Sequence, residues 1–292
     1  MPKKFECFNS PRQKAIDGMK NSISEELWNK NLNFLKELRA EISNHPVSTH
    51  PAIQLLNDGV IDKETLKHIH LEYRHAIVQV FTDALLMAQF QTKQLEPRLL
   101  SGSKMYPRFL LNLNILDEFG FRPGLDQDGY YSGNPEYAHY PLFEDVLNDF
   151  ELSQSERNDY QPSIIAQQVR NYLEKSFDRY QVVSALLAVA EEEVILFSPA
   201  LRQATNAVGF DVDSGYYYVH GVSHDETAEA ADDDHEDDLW FVLAQACVES
   251  DYSSIRQICL EYCDLWQQFW DEQIAYQYET SLYTTKIDNS LK

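Results

Sequence analysis

Apolar residues recur along most of this chain at steps of three and four. From Asp62 to Gln91 the positions Leu66, Ile69, Tyr73, Ile77, Val80, Ala84 and Met87 form one stripe. That is the spacing of a helix that buries a single face. Ser24–Ile42, Lys104–Phe119, Ser163–Phe177, Arg179–Val208, His235–Ser250 and Ser253–Glu279 read the same way. Asp62 is placed to cap its helix, although Thr65 rather than Glu follows three residues on, so the capping box is half present. Two stretches interrupt the pattern. Gly120–Pro141 is dense in Gly, Pro, Asn, Asp and Tyr and reads as an ordered loop or insertion; His220–Asp234 is very acidic and ends in consecutive aspartates. Gly215–Val219 is the only strand-like fragment, and no repeat of constant period occurs. The pattern predicts an all-α protein, a bundle of seven or more helices in a single domain over residues 22–292, with Met1–Asn21 as a loosely held arm.

Composition narrows the function classes more than the fold. The 24 Lys and Arg stand against 47 Asp and Glu, a net charge of −23, and such a field repels phosphate backbones and anionic membranes. Neither nucleic acid nor a membrane is an expected partner. Val182–Ala190 is the longest apolar run, closed by Glu191–Glu193, and is too short to span a bilayer. Phe5–Arg12 is too polar and too short for a signal peptide's apolar segment. Cys7, Cys247, Cys259 and Cys263 contain no C-x-x-C pair, which reads as reduced core thiols. The expectation is a soluble, cytoplasmic protein or a cation binder.

Phosphate-binding glycine loops and the G-x-S-x-G elbow are absent from the sequence, which argues against nucleotide chemistry by those routes and against that type of serine hydrolase. Carboxylates and histidines at helical spacing remain. His68, Glu72 and His75 share one helix face, either as metal ligands or as a solvated face paired with Arg74 or Lys67. Glu191, Glu192 and Glu193 sit in an apolar helix, where a buried carboxylate must be paired, protonated or metal-bound. Successive residues turn by about 100°, so the three cannot share a face. Leu187 and Val194 flank Glu191 at helical spacing and point it inward, which sends Glu192 and Glu193 toward solvent or toward Arg202's side. Asp232 and His235 again pair a carboxylate with an imidazole on one helical face, unless the aspartates simply solvate a helix N-terminus.

In order along the chain, Asn114-Ile-Leu-Asp-Glu118-Phe-Gly, His139-Tyr-Pro-Leu-Phe-Glu-Asp-Val-Leu-Asn, Ala188-Val-Ala-Glu191, Gly215-Tyr-Tyr-Tyr-Val-His220 and Asp232-Asp-Asp-His235 resemble the haem-oxygenase-like diiron oxidases. These are iron-containing redox enzymes similar in fold to the TenA and PqqC-like helical proteins. The resemblance covers roughly Met105 to Leu243. It implies a haem-oxygenase-like bundle with Glu118, His139, Glu191, His220, Asp232 and His235 as ligands of two Fe(II) ions, manganese being acceptable to the same set. It also implies O2 as co-substrate. Two departures stand out. Glu118 and His139 bracket a long insertion where the family has a short gap, and Asp232 lies twelve residues after His220 where the family places it four after. His224 is the substitute for the first ligand of that set, and Glu192 for Glu191 if the helix phase differs.

The implied activity is oxidation of a small amino-acid-derived or carboxylate metabolite, by N-oxygenation, desaturation or oxidative C–C cleavage, in a possible homodimer. A substrate carboxylate would need a cation, and Arg108, Arg170 and Arg202 lie on helices expected to line the bundle. Two other classes compete: a metal-free TenA/PqqC-like enzyme with a cysteine nucleophile, and a non-enzymatic acidic interaction protein.

Overall fold

The computed structural model describes residues 10–220 and 237–290, and their side chains as far as residue 278. His224, Asp232 and His235 lie outside the described residues. Within them the chain is helical apart from one small hairpin, in keeping with the apolar stripes.

The first element is α1 (Pro11–Asn21), opened by Ser10, whose Oγ accepts the Gln13 N–H at 3.0 Å, and by Pro11 in the first turn. Ala15, Ile16 and Met19 are buried, and the helix packs on α6 (Met105–Glu118). Gly18 lies flat against the Tyr106 ring, where a Cβ would collide. The second half of the stretch read as a loose arm is therefore part of the bundle. Three apolar positions in eleven residues make too short a stripe to stand out.

α2 (Glu25–Ser43) and a helix over residues 237–246, α12, are stitched by Asn31, whose Nδ2 donates to Ala244 O at 2.7 Å and Cys247 O at 2.9 Å. The long periodic stretch is one helical run. α4 (Lys63–Tyr73) passes through a π-helical turn at Arg74–Val78 into α5 (Gln79–Gln91). Asp62 caps it, with Oδ1 accepting from the N–H of Glu64 and Thr65 at 3.0 Å. α10 (Tyr180–Ala207) is the central helix, packed against α3 (Pro51–Asn57), α5 and α13 (Tyr252–Ser290). From Val183 to Val194 every residue of α10 except Glu192 is buried.

Gly120–Pro141 carries the antiparallel hairpin β1 (Phe121–Leu125) and β2 (Tyr131–Gly133), then the start of α7 (His139–Asp149). α8 (Gln154–Asp159) and α9 (Ile164–Glu174) follow, α9 packing on α13 and on the π-helical turn. The strand-like Gly215–Val219 is instead a short helical turn, α11 (Tyr216–Val219). Gly215, at φ +68°, breaks the extended path, so Tyr216 and Tyr217 both turn into the core rather than to opposite faces. Cys247, Cys259 and Cys263 are buried free thiols, as read from the sequence. No helix among the described residues is long and apolar enough to cross a membrane.

Candidate metal centre

Glu118 is the last residue of α6 and His139 the first of α7. They lie 21 positions apart, yet His139 Nδ1 is 2.9 Å from Glu118 Oε1. The hairpin between them is pinched shut at its base by two glycines. Gly120 (φ +78°) accepts the Asn134 N–H at 3.1 Å, and a Cβ there would meet Asn134 O and sit 2.6 Å from Ala138 N. At Gly133 (φ +143°) a Cβ would lie 2.7 Å from both Gly120 O and Phe121 Cα. Because the backbones cross this closely, the insertion leaves Glu118 and His139 as near neighbours.

The third side chain arrives from α11, which packs on α7. His220 Nε2 is 2.9 Å from His139 Nδ1, with the rings 4.4 Å apart and nearly perpendicular. One ligand-type atom each from Glu118, His139 and His220 falls within 4.8 Å of the others. All three residues are less than a tenth exposed. Asp117 Oδ2 stands 3.7 Å from the opposite nitrogen of His139, Nε2.

Glu191 comes from α10 into the same cavity, a space of about 30 Å³. Its Oε1 accepts from Asn114 Nδ2 at 2.8 Å. Asn114 precedes Glu118 by one turn of α6, so a single helix face carries both. Ile77, Val78, Phe81 and Val194 give the cavity an apolar wall, and Tyr73, Tyr140 and Tyr216 add phenols. Ile77 and Val78 belong to the π-helical turn, a distortion frequent at functional sites. Of the six residues read from the sequence, the structure brings four to this cavity, and the other two, Asp232 and His235, lie outside the described residues.

Glu193 does not edge toward solvent. It is buried, with Oε2 accepting from Tyr73 OH at 2.8 Å and Oε1 from Trp270 Nε1 at 3.0 Å. Burial pushes its carboxyl up to about 8, against the pull of those two donors. α10 is enclosed on opposite sides, so a residue two positions from Glu191 meets α13 rather than water. Glu192 is half-buried, 3.6 Å from Arg39.

The cluster on α4 serves as a helix cap. Glu72 is fully buried, accepting the Ser163 N–H at 3.0 and 3.2 Å together with Tyr160 OH, and so holds the start of α9. His68 stacks on Tyr276 at 3.9 Å and has Nδ1 3.0 Å from Tyr160 OH. Arg74 and Lys67 pair with Glu144 and Glu64 instead of Glu72. His75 lines a separate polar cleft with Arg170. The three arginines do not line the metal cavity. Arg108 Nε donates to Thr92 Oγ1 at 2.7 Å, Arg170 to Gln79 Oε1 at 3.0 Å, and Arg202 to Tyr217 O at 3.0 Å.

Asn114, Tyr73 and Trp270 also bear on the site's two glutamates. The Asn114-x-x-x-Glu118 spacing was a visible signal for the first, whereas the others contact the site's surroundings only through tertiary packing.

No protein-family model matches the chain, and no curated protein matches it in sequence. Solved structures do. A CADD-like protein of unknown function from Nostoc punctiforme superposes with a TM-score of 0.60 at 15% identity, over 85% of this chain and 98% of that one. A TenA homolog from Pseudomonas syringae pv. tomato gives 0.56 at 12% identity, over 91% and 98%. A TenA family transcription regulator from Silicibacter sp. gives 0.53 at 12%, over 82% and 96%. The chain therefore has the all-helical bundle fold of these CADD-like and TenA structures.

Proposed function

We propose that the protein is a cytoplasmic non-haem diiron oxidase or oxygenase that uses O2 to oxidise a small amino-acid-derived or carboxylate metabolite. The observation that carries this reading is the convergence of Glu118, His139 and His220, from three separate elements, on one buried point beside Glu191. Buried carboxylates and imidazoles gathered without apolar necessity cost stability unless something compensates them. The donor set fits iron, since imidazole and carboxylate are ligands of Fe(II) and Mn(II), and Asp232 and His235 would complete it. Bound iron would supply electrons to O2 and oxidising power toward the substrate.

The chain supplies the rest. Asn114 Nδ2 fixes the orientation of the Glu191 carboxylate, as partners behind metal ligands do. Asp117 stands on the outer nitrogen of His139. Ile77, Val78, Phe81 and Val194 keep water from that side of the cavity. Tyr140, whose hydroxyl accepts from Arg74 at 3.3 Å and Gln79 at 3.2 Å, closes the wall toward the polar cleft beyond.

The thiol-nucleophile alternative finds no such support. Burial pushes the Cys247 and Cys263 thiols up to about 12 and raises that of Cys259 too, and no cysteine among the described residues lines the cavity.

Anaerobic Fe(II) loading tests the reading. Metal analysis should give two irons per chain, and mixing with O2 should give transient visible absorption. Loss of iron uptake in Glu118→Ala and His220→Ala supports it. Wild-type protein that binds neither iron nor manganese overturns it.

A further inference from the structure

A cleft of about 660 Å³ opens on the far side of the cavity wall, between the π-helical turn, α8 and α9. Small-molecule sites run at roughly 300–1,000 Å³. The metal cavity, at about 30 Å³, has room for little more than a water molecule. The bulk of any metabolite that reaches it must therefore rest elsewhere. Tyr140 stands between the two spaces: it lines the cavity, and its hydroxyl accepts from Arg74 and Gln79, which line the cleft. The π-helical turn serves both, giving Ile77 and Val78 to the cavity and Arg74 and His75 to the cleft.

Charge in the cleft runs against that of the chain. Arg74, Arg157 and Arg170 line it with one carboxylate, Glu174, although acids outnumber bases 47 to 24 overall. Glu144 is the shared partner of Arg74 and Arg157, and Glu174 pairs with Arg170 at 2.8 Å. Glu72, behind Tyr160, is taken by the N-terminus of α9. Burial and the Arg170 guanidinium hold His75 below its ordinary value, so it is neutral at pH 7. Three guanidinium groups on two carboxylates leave one positive charge. All of the Arg157 N–H groups are engaged, by Glu144, Asn148 and the Leu152 carbonyl. Arg74 Nη1 and Arg170 Nη2, by contrast, have no hydrogen-bond partner among the described residues, and both reach solvent. Packing accounts for Arg157. It does not account for two guanidinium groups that line one cleft and each keep a nitrogen unpaired.

We propose that this cleft holds the carboxylate of a monoanionic substrate, whose remaining part reaches past Tyr140 to the metal cavity. The carboxylate site stands on the cleft alone, while the reach to the cavity rests on the diiron reading. A carboxylate takes one N–H from each of Arg74 and Arg170, one on each oxygen, as charge-assisted hydrogen bonds. Its single charge matches the one that Glu144 and Glu174 leave over. A phosphate dianion would exceed it, and a cationic ligand would meet the same unbalanced guanidinium charge.

The test titrates the full chain, labelled with 15N-arginine and freed of metal by chelation, and follows the side-chain Nε–H signals by NMR. The probes are acetate, acetamide as its neutral isostere, and inorganic phosphate as a dianion. Acetate should shift the Arg74 and Arg170 signals together in the millimolar range, with acetamide clearly weaker. Arg170→Gln, read at Arg74, should weaken acetate roughly tenfold, the loss of one charged hydrogen bond. Glu174→Gln should tighten it several-fold by removing the competing carboxylate, and Arg122→Gln, at an exposed position on the hairpin, should change nothing. Equal acetate affinity in wild type, Arg170→Gln and Glu174→Gln overturns the site, as does acetamide binding as well as acetate. Phosphate binding more tightly than acetate overturns the carboxylate assignment. Mn(II) loading then tests the reach: relaxation of the acetate methyl protons should quicken in wild type and lose that effect in Arg170→Gln. Quickening that Arg170→Gln leaves unchanged puts the carboxylate on the metal itself and overturns the proposal. Protein that takes up neither manganese nor iron, yet binds acetate with this order of variants, loses the diiron reading and keeps the cleft.

Discussion

The pinch at the hairpin base makes a quantitative test of how this chain brings distant ligands together. Replacing Gly120 by Ala puts a Cβ at φ +78°, against Asn134 O and 2.6 Å from Ala138 N. Left-handed backbone costs an L-residue roughly 1–2 kcal/mol. Overpacking against backbone that cannot yield costs about 1–3 kcal/mol more. The sum, about 2–5 kcal/mol, is relieved most easily by parting Gly120 from Asn134–Ala138, which carries His139 away from Glu118. If that strain is released in the metal-free protein and must be restored on binding, affinity falls roughly thirty- to several-thousandfold. Gly124→Ala is the matched control, because Gly124 also has positive φ (+112°) but a Cβ there meets nothing within 4 Å. Titration with Fe(II), alongside thermal melting of the metal-free protein, separates the site from the fold. The expected outcome is a large loss of affinity in Gly120→Ala, a small one in Gly124→Ala, and similar melting of the two. Equal affinities in the two variants would refute the idea that the pinch sets the ligand geometry.

Four further variants have expected outcomes. Glu193→Ala should destabilise the fold by roughly 2–4 kcal/mol in chemical denaturation, since it leaves the Tyr73 hydroxyl and Trp270 N–H buried without their acceptor; Glu191→Ala should lose iron at little cost to the apo fold. Asn114→Ala should weaken metal binding while changing apo stability by about 1 kcal/mol, measured by metal titration and by melting. Burial holds His70 down to about 4, against a backbone bond to Leu66 O that favours its charged form, so the unfolded chain binds its proton first on acidification. Stability present above pH 6.5 should therefore decline by about 3 kcal/mol on the way to pH 4, and His70→Gln should flatten that part of the stability–pH curve.

Most helices were legible because each keeps a single apolar stripe, and Ser24, Asp62 and Ser163 mark their starts as observed caps. The failures have physical causes. α1 buries only Ala15, Ile16 and Met19, too few for a periodic signal. Tyr216 and Tyr217 look like strand residues, but the positive φ of Gly215 precedes them, and no propensity scale encodes it. Glu118 and His139 could be picked as ligand types, yet their approach depends on backbone contact between Gly120 and Asn134–Ala138. That contact lies between residues too far apart for any local pattern to register. Glu72 was visible as a carboxylate among histidines, but the Ser163 N–H that claims it comes from a helix 91 positions away.

The misplacement of Glu193 shows where helix-phase reasoning stops. One apolar face and one wet face belong to a helix at the edge of a bundle. The run Val182–Ala190 is apolar but for the buried Ser184, the mark of a helix enclosed on every side, and for such a helix the rotation between Glu191 and Glu193 chooses between two neighbours, not between protein and water. Its two buried carboxylates consequently face different chemistry. Glu193 meets α4 and α13, where Tyr73 and Trp270 put one donor on each of its oxygens, so a cation would have to displace hydrogen bonds already made. Glu191 meets α6 and the cavity, where a neutral amide steadies its Oε1 and two imidazoles and a second carboxylate share the same space. Two glutamates two residues apart on one helix are thereby separated into a structural acceptor and a candidate metal ligand by what packs against each.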